Sequence, residues 1–70
     1  MATTIAKYKF DREDLYRAAM ESIEKQVGSY SYNGWNYDSS YYIISIDDTC
    51  EKSSLIGKIC GAFEGKPYSY

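Results

Sequence analysis

Four neighbouring side chains are of types that could do acid–base or nucleophilic chemistry. They are Asp47, Asp48, Cys50 and Glu51. Paired carboxylates can act as a general acid and base, and a thiol in the first turn of a helix can have a lowered pKa and act as a nucleophile. Acidic residues are also common at helix starts, because they interact favourably with the helix dipole. We expect the structural role, with a helix starting here and with Cys50 partly buried.

The chain lacks the residues that other kinds of catalysis and ligand binding require. The chain has no histidine, which removes the commonest general base, the commonest zinc ligand and every Ser-His or Cys-His nucleophile pair. Its cysteines, Cys50 and Cys60, match no usual zinc spacing, and Gly57-Lys58 lacks the earlier glycine of a phosphate-binding loop. The sequence therefore predicts a protein that is not an enzyme, with no catalytic residue, no metal site and no cofactor.

The segment over residues 30–37 alternates aromatic and polar side chains around Asn33-Gly34. Asn and Gly best tolerate the positive φ that both central positions of a type I′ turn require, so the pattern predicts a β-hairpin that turns at these two residues. The rings would share one face as two cross-strand pairs, Tyr32 with Trp35 and Tyr30 with Tyr37. Such a face either packs beneath helices or forms a binding surface.

The elements before this segment are predicted from alternation and helical periodicity. Residues alternate from Thr3 to Phe10, which favours a first strand with one apolar face. Asp11 is a candidate helix N-cap, and Phe10 and Leu15 are spaced as a hydrophobic staple. The following helix has a core-facing stripe and would end at Gly28. The stripe residues are Leu15, Tyr16, Ala19, Met20, Ile23 and Val27.

A further strand is expected from Tyr41 to Ile46, but the apolar alternation changes parity at Ser39. One possibility is that a bulge or turn near Ser39 redirects the chain. The other is that Asn33 to Ser40 forms a long loop, so that only the later run pairs with the strand around Tyr30.

The second helix is predicted from Asp48 to about Glu64, where Gly65 and Pro67 would end it. One of its faces carries only small residues and so allows a close backbone approach. These residues are Cys50, Ser53, Ser54, Gly57 and Gly61. The stripe packs either on the protein's own sheet or, through Ser54, Gly57 and Gly61, on a second copy in a homodimer.

The order of these elements predicts an α+β fold, with a small antiparallel sheet of three to four strands and two helices on one face. Seventy residues suffice for a single domain, residues 1–70, with a small core. The formal net charge is −2, and Gly28 to Ile46 contain no Lys or Arg, so we expect no nucleic-acid partner. No apolar run approaches the ~18 residues of a membrane span, and no secretory signal is evident. We therefore expect a cytoplasmic protein without a membrane partner and with reduced cysteines.

Protein binding is the function that the aromatic segment favours, because Tyr and Trp dominate interface energetics and Ser and Asn are common beside them in binding loops. The candidate contact residues are Tyr30, Tyr32, Trp35, Tyr37 and Asp38. In size and composition the chain resembles small phage or mobile-element proteins that bind and block a host complex, including inhibitors of CRISPR or restriction systems. The resemblance implies an inhibitor that acts by occlusion.

Two alternatives remain open. The aromatic hairpin could belong to a ligand-binding module that stacks a carbohydrate or a nucleobase on its rings. The small-residue stripe of the second helix could instead make this a structural protein that self-assembles.

Overall fold

A computed structural model describes residues 3–68, and it confirms the predicted α+β fold with four antiparallel strands and two helices. The elements in chain order are β1 (Thr4–Lys9), α1 (Glu13–Gln26), β2 (Trp35–Asp38), β3 (Ile43–Asp47), α2 (Ser53–Ala62) and β4 (Lys66–Pro67). This β-α-β-β-α-β order is that of the ferredoxin-like, or split β-α-β, motif.

The strand order in the sheet is β2-β3-β1-β4, so that β2 forms one edge. Trp35 lies opposite Ile46 and Tyr37 opposite Ile44, which places these four side chains on the face that both helices cover. Residues at alternate positions, such as Lys9, point to the other face. The largest fully buried side chains of the core are Trp35, Phe10, Ile23, Ile44, Ile46, Ile56 and Cys60.

Helix α1 buries the stripe that its periodicity predicts. Tyr16, Ala19 and Ile23 are buried, and the other members of the stripe pack against the core. The N-cap is Arg12 rather than the predicted Asp11, since Arg12 takes the extended conformation of a cap and its side chain pairs with Asp14 at 2.9 Å.

The predicted hairpin turn at Asn33-Gly34 is wrong. Residues 29–33 form turns rather than a strand, and the chain reverses instead between β2 and β3, over residues 39–42. A turn near Ser39, one of the two possibilities that the parity change allows, is therefore the one observed. Gly34 does have a positive φ of 78°, but the other positive-φ residue in this segment is Ser31 rather than Asn33.

The Asn33 side chain serves the loop rather than a tight turn, because its Nδ2 donates to the Ser29 carbonyl oxygen at 2.8 Å. Gly34 passes so close to Cys50 that a Cβ on this glycine would lie 2.5 Å from the Cys50 backbone nitrogen. The glycine is thus required by a close approach between two loops, as well as by its φ.

Helix α2 begins later than predicted, at Ser53 rather than Asp48. The reason is that the acidic residues before it have other partners. The Asp48 Oδ1 accepts from the Thr3 backbone at 3.1 Å, and the Asp47 carboxylate accepts from the backbone and hydroxyl of Thr49. These carboxylates stabilise the loop between β3 and α2 instead of capping the helix.

Candidate functional site

Trp35, predicted as a contact residue, is instead part of the core. It begins β2 on the helix-covered face, and the residue is only 1% exposed. Its indole Nε1–H donates to the Gly28 carbonyl oxygen at 3.0 Å, which satisfies the polar atom of the buried ring. The ring therefore anchors the loop after α1 to the sheet and does not offer a contact surface.

Two tyrosines cover Trp35 and remain partly open to solvent. The ring of Tyr30 lies 4.9 Å from that of Tyr37 and 6.2 Å from that of Trp35, in edge-to-face arrangements that aromatic pairs favour. Tyr30 is 44% exposed and Tyr37 is 36% exposed. We call Tyr30, Tyr37 and the exposed Asp38 the tyrosine edge. Tyr37 and Asp38 are consecutive residues of the edge strand β2, with Asp38 on the opposite face of the sheet from Tyr37, and the Tyr30 ring packs against that of Tyr37.

The surroundings of Tyr37 favour its protonated form. The neighbouring Tyr30 hydroxyl is the largest cause that raises the pKa of Tyr37, followed by desolvation, and the carboxylate of Glu24 adds to it. Below the edge, burial raises the pKa of Tyr16, whose hydroxyl lies 3.2 Å from that of Ser39. At neutral pH these phenols are protonated and can donate hydrogen bonds to a partner or to one another.

Tyr32 does not share a face with the other three rings. It is 94% exposed, and among residues 3–68 no ring contact joins it to another aromatic side chain. It lines a separate cleft of about 400 Å³ together with Glu51 and Lys52. The expectation that four rings form one face is therefore wrong, since the strand that would have placed Tyr32 beside Trp35 is absent.

The small-residue stripe of α2 is divided between two environments. A Cβ on Gly57 would lie 3.1 Å from the Tyr8 hydroxyl of β1, so this glycine allows the helix to pack on the protein's own sheet. Around Gly61 no described residue lies within 4 Å of such a Cβ, and Ser54 is exposed. Of the three predicted oligomer contacts, Gly57 is thus occupied internally, and Ser54 and Gly61 face outwards.

The cysteines are buried, free thiols. Cys50 lies before α2, and Cys60 lies within it, where burial raises the pKa of its thiol to about 12. A thiol that remains protonated at neutral pH is a poor nucleophile. Over the described part of the chain, no group of three or more acidic or cysteine side chains is placed to hold a metal ion.

Comparisons with protein-family models, curated proteins and solved structures find no match for this chain. Within residues 3–68 no helix is long and apolar enough to cross a membrane.

Sequence reasoning misses two residues of α1, Tyr16 and Glu24, that interact electrostatically with the tyrosine edge. Glu24 lies outside the apolar stripe of the helix, and the hydroxyl contact between Tyr16 and Ser39 joins residues far apart in the sequence. A tyrosine within an otherwise aliphatic stripe is the available signal, since its hydroxyl must reach a polar partner at the margin of the core.

Proposed function

We propose that this protein is a small, non-catalytic protein-binding module and that the tyrosine edge is its contact surface. The observation that carries the proposal is the pair of half-exposed rings, Tyr30 and Tyr37, held in place by the buried Trp35. Rings that are already packed lose little conformational freedom on binding, and tyrosine supplies both apolar area and a hydroxyl.

The position of β2 supports the proposal. The Gly34 carbonyl accepts from the Asp47 amide, so the alternation of an antiparallel pair directs the N–H and C=O of Tyr37 away from β3. An edge strand with outward-pointing backbone groups can add hydrogen bonds to a partner segment. A partner could therefore make ring contacts with Tyr37 and backbone hydrogen bonds with β2 at the same edge of the sheet.

The class of partner that we propose is a host defence complex, of the CRISPR or restriction type, blocked by occlusion in a phage or mobile-element setting. The support is the size and composition of the chain. A short chain that covers a functional surface needs a firm scaffold and a compact contact patch, and the tyrosine edge on the sheet supplies both. We also propose that the protein acts in the cytoplasm, where a defence complex of this kind would be met.

The alternative of a stacking module for sugars or bases has less support than protein binding. Trp35 offers the largest ring face of the segment, but this ring is buried. Tyr30 and Tyr37 meet edge to face, so part of each ring face is already covered. Ligands of this kind usually need an open, flat ring, which none of the three packed side chains offers.

The experiment is affinity capture from a candidate host lysate, followed by titration of the retained protein against single variants. Tyr37→Ser should weaken binding by about tenfold or more, because interface tyrosines are frequent hot spots. Ile5→Ser is the matched control, since Ile5 is a 57% exposed apolar residue on β1, two strands away from β2. Urea unfolding of both variants separates lost contacts from lost stability. Equal affinities of the two variants would refute the proposal.

A further inference from the structure

The hydrogen bonds between β2 and β3 determine which backbone groups of β2 are open. The Asp47 amide donates to the Gly34 carbonyl oxygen at 2.9 Å, so these two residues form a hydrogen-bonded pair in line with the β2–β3 ladder. Bonded and non-bonded pairs alternate along an antiparallel ladder. The pair of Tyr37 with Ile44 is therefore non-bonded, and the N–H and C=O of Tyr37 point away from β3.

The bonds between β3 and β1 support this assignment independently. The Phe10 amide donates to the Tyr42 carbonyl oxygen at 2.9 Å, and the register continues with Tyr8 opposite Ile44. By the same alternation, the backbone groups of Ile44 point to β1 and not to β2. The N–H and C=O of Tyr37 therefore have no partner among residues 3–68.

The rest of the β2 edge is closed by the chain itself. Before Tyr37, the Ser31 amide donates to the Trp35 carbonyl oxygen at 2.7 Å, so the loop after α1 lies against the start of β2. After Tyr37, the chain turns away, and the Tyr41 amide donates to the Asp38 carbonyl oxygen at 3.3 Å. Such coverage protects an edge strand from continuous pairing. Tyr37 is thus the residue of β2 whose outward N–H and C=O both stay open.

We infer that the partner presents an extended segment that forms a single β-bridge with Tyr37, through two hydrogen bonds between the main chains. This inference rests on the proposed function and names the conformation and chemistry of the segment bound there. The partner residue opposite Tyr37 would share its face of the sheet, beside the half-exposed rings of Tyr30 and Tyr37, so an apolar side chain suits this position. The two neighbours of that residue would project to the other face, beside the exposed Asn36 and Asp38, which disfavours acidic side chains there.

A flexible segment fits this opening better than a second copy of the chain does. An extended terminus or loop can bend away on either side of the bridge and so pass the loop at Ser31 and the turn at Tyr41. A second copy of β2 would bring the same loop and turn to the opening, since these lie on both sides of its own Tyr37. A helix cannot form the bridge, because its interior N–H and C=O groups already bond to one another.

The test replaces the Tyr37 amide with an ester, by incorporation of the α-hydroxy analogue of tyrosine, and so keeps the ring. The ester has no N–H to donate, so the affinity for the captured partner should fall about three- to tenfold. The matched control is the same replacement at Asp14, whose amide precedes the first hydrogen bond of α1, from Tyr16 to Arg12. Because the N–H removed there has no partner in the helix, the affinity should change less than about twofold. Urea unfolding of both esters measures any loss of stability that they share.

NMR of the complex tests the conformation of the bound segment. An isotope-filtered NOESY spectrum should connect the Tyr37 amide proton to α-protons of an extended partner segment, and the Tyr30 and Tyr37 rings to one apolar side chain. A helical partner segment at Tyr37 would overturn the inference. So would sedimentation of the protein alone as a dimer that the Tyr37 ester dissociates, because a second copy would then occupy the edge.

The ring variant separates this inference from the proposed function. If Tyr37→Ser weakens partner binding and the Tyr37 ester does not, the proposed function stands and the β-bridge is wrong. If neither change alters the affinity, the proposed function itself is wrong.

Discussion

The tyrosine edge and the small-residue stripe of α2 are two candidate contact surfaces, and they differ in how much of each the fold leaves exposed. At the edge, Trp35 is buried and Tyr30 and Tyr37 remain half-open above it. In the stripe, Gly57 lies against Tyr8 of the protein's own sheet, and only the outer members stay accessible. The difference shows that a small residue can be used for close packing between a helix and the sheet. The large rings at an edge strand, in contrast, cannot all be buried by the two helices.

The largest expected effect is the loss of the buried ring that supports the edge. Trp35→Ala should lower the free energy of unfolding by about 3–5 kcal/mol, because it leaves a cavity and an unpaired Gly28 carbonyl. Urea denaturation measures this loss. Trp35→Phe keeps an aromatic ring and should cost less, so it remains measurable if the alanine variant does not fold. A loss below about 1 kcal/mol for the alanine variant would contradict the burial of Trp35.

A second prediction separates the two halves of the stripe. Gly57→Leu should destabilise the fold by about 1–3 kcal/mol, since its side chain would collide with Tyr8. Gly61→Ala should stabilise it by up to about 1 kcal/mol, because alanine is the better helix former and the site is open. Thermal unfolding measures the stability of both variants against the wild type. Sedimentation of Gly61→Leu then tests self-assembly: a change in association state would favour the stripe as an oligomer contact.

A third prediction concerns alkaline stability and the thiol in α2. The folded state raises the pKa of Cys60 from 9.0 to about 12, so it holds the proton more tightly than the unfolded chain. The contribution of this group to stability is complete below pH 9 and is lost as the pH rises through about 12. Cys60→Ala should therefore lose less stability than the wild type over this range. If the free energy of unfolding depended on pH in the same way for the two proteins, Cys60 would not be the cause of the alkaline loss of stability.

The smallest expected effect lies within the tyrosine edge itself. Tyr30→Phe should lower the pKa of Tyr37 towards its ordinary value, because the Tyr30 hydroxyl is the largest cause of the rise. Glu24→Gln should lower it by less. NMR titration of the Tyr37 ring above pH 8 measures the change, with Tyr32→Phe as the control that should leave it unaltered. An unchanged Tyr37 pKa in Tyr30→Phe would show that the two hydroxyls do not interact.

Much of the fold can be predicted from local patterns. The stripe of α1 and the apolar face of β1 depend on periodicity within one element, and both are observed. The helix ends at Gln26 with Val27 as its C-cap, one residue before the predicted Gly28. The hairpin prediction fails because an Asn-Gly pair signals a turn only where its flanking strands can pair. Here the burial of Trp35 and the close approach of Gly34 to Cys50 decide the path of the chain, and both depend on contacts far apart in the sequence.

The candidate site is less predictable than the fold, for the same reason. The residue types of the aromatic segment are sufficient to point to Tyr30, Tyr37 and Asp38, but not to divide buried rings from exposed ones. Which rings are covered depends on the strand order, and strand order is set by the packing of the whole sheet. Likewise, the sequence pattern places Asp47 and Asp48 at a helix start. In the structure these carboxylates instead accept hydrogen bonds in the loop, Asp47 from Thr49 and Asp48 from Thr3.

The most direct test of recognition at the tyrosine edge is the hydrogen-exchange rate of the Tyr37 amide, measured in the free protein and in complex with the captured partner. This N–H points away from β3, so in the free protein it should exchange faster than the amides of the central strands. We predict that the partner slows exchange at Tyr37 strongly and leaves the outer face of α2, at Ser54 and Gly61, unchanged. Protection of the α2 face with no change at Tyr37 would contradict recognition at the tyrosine edge.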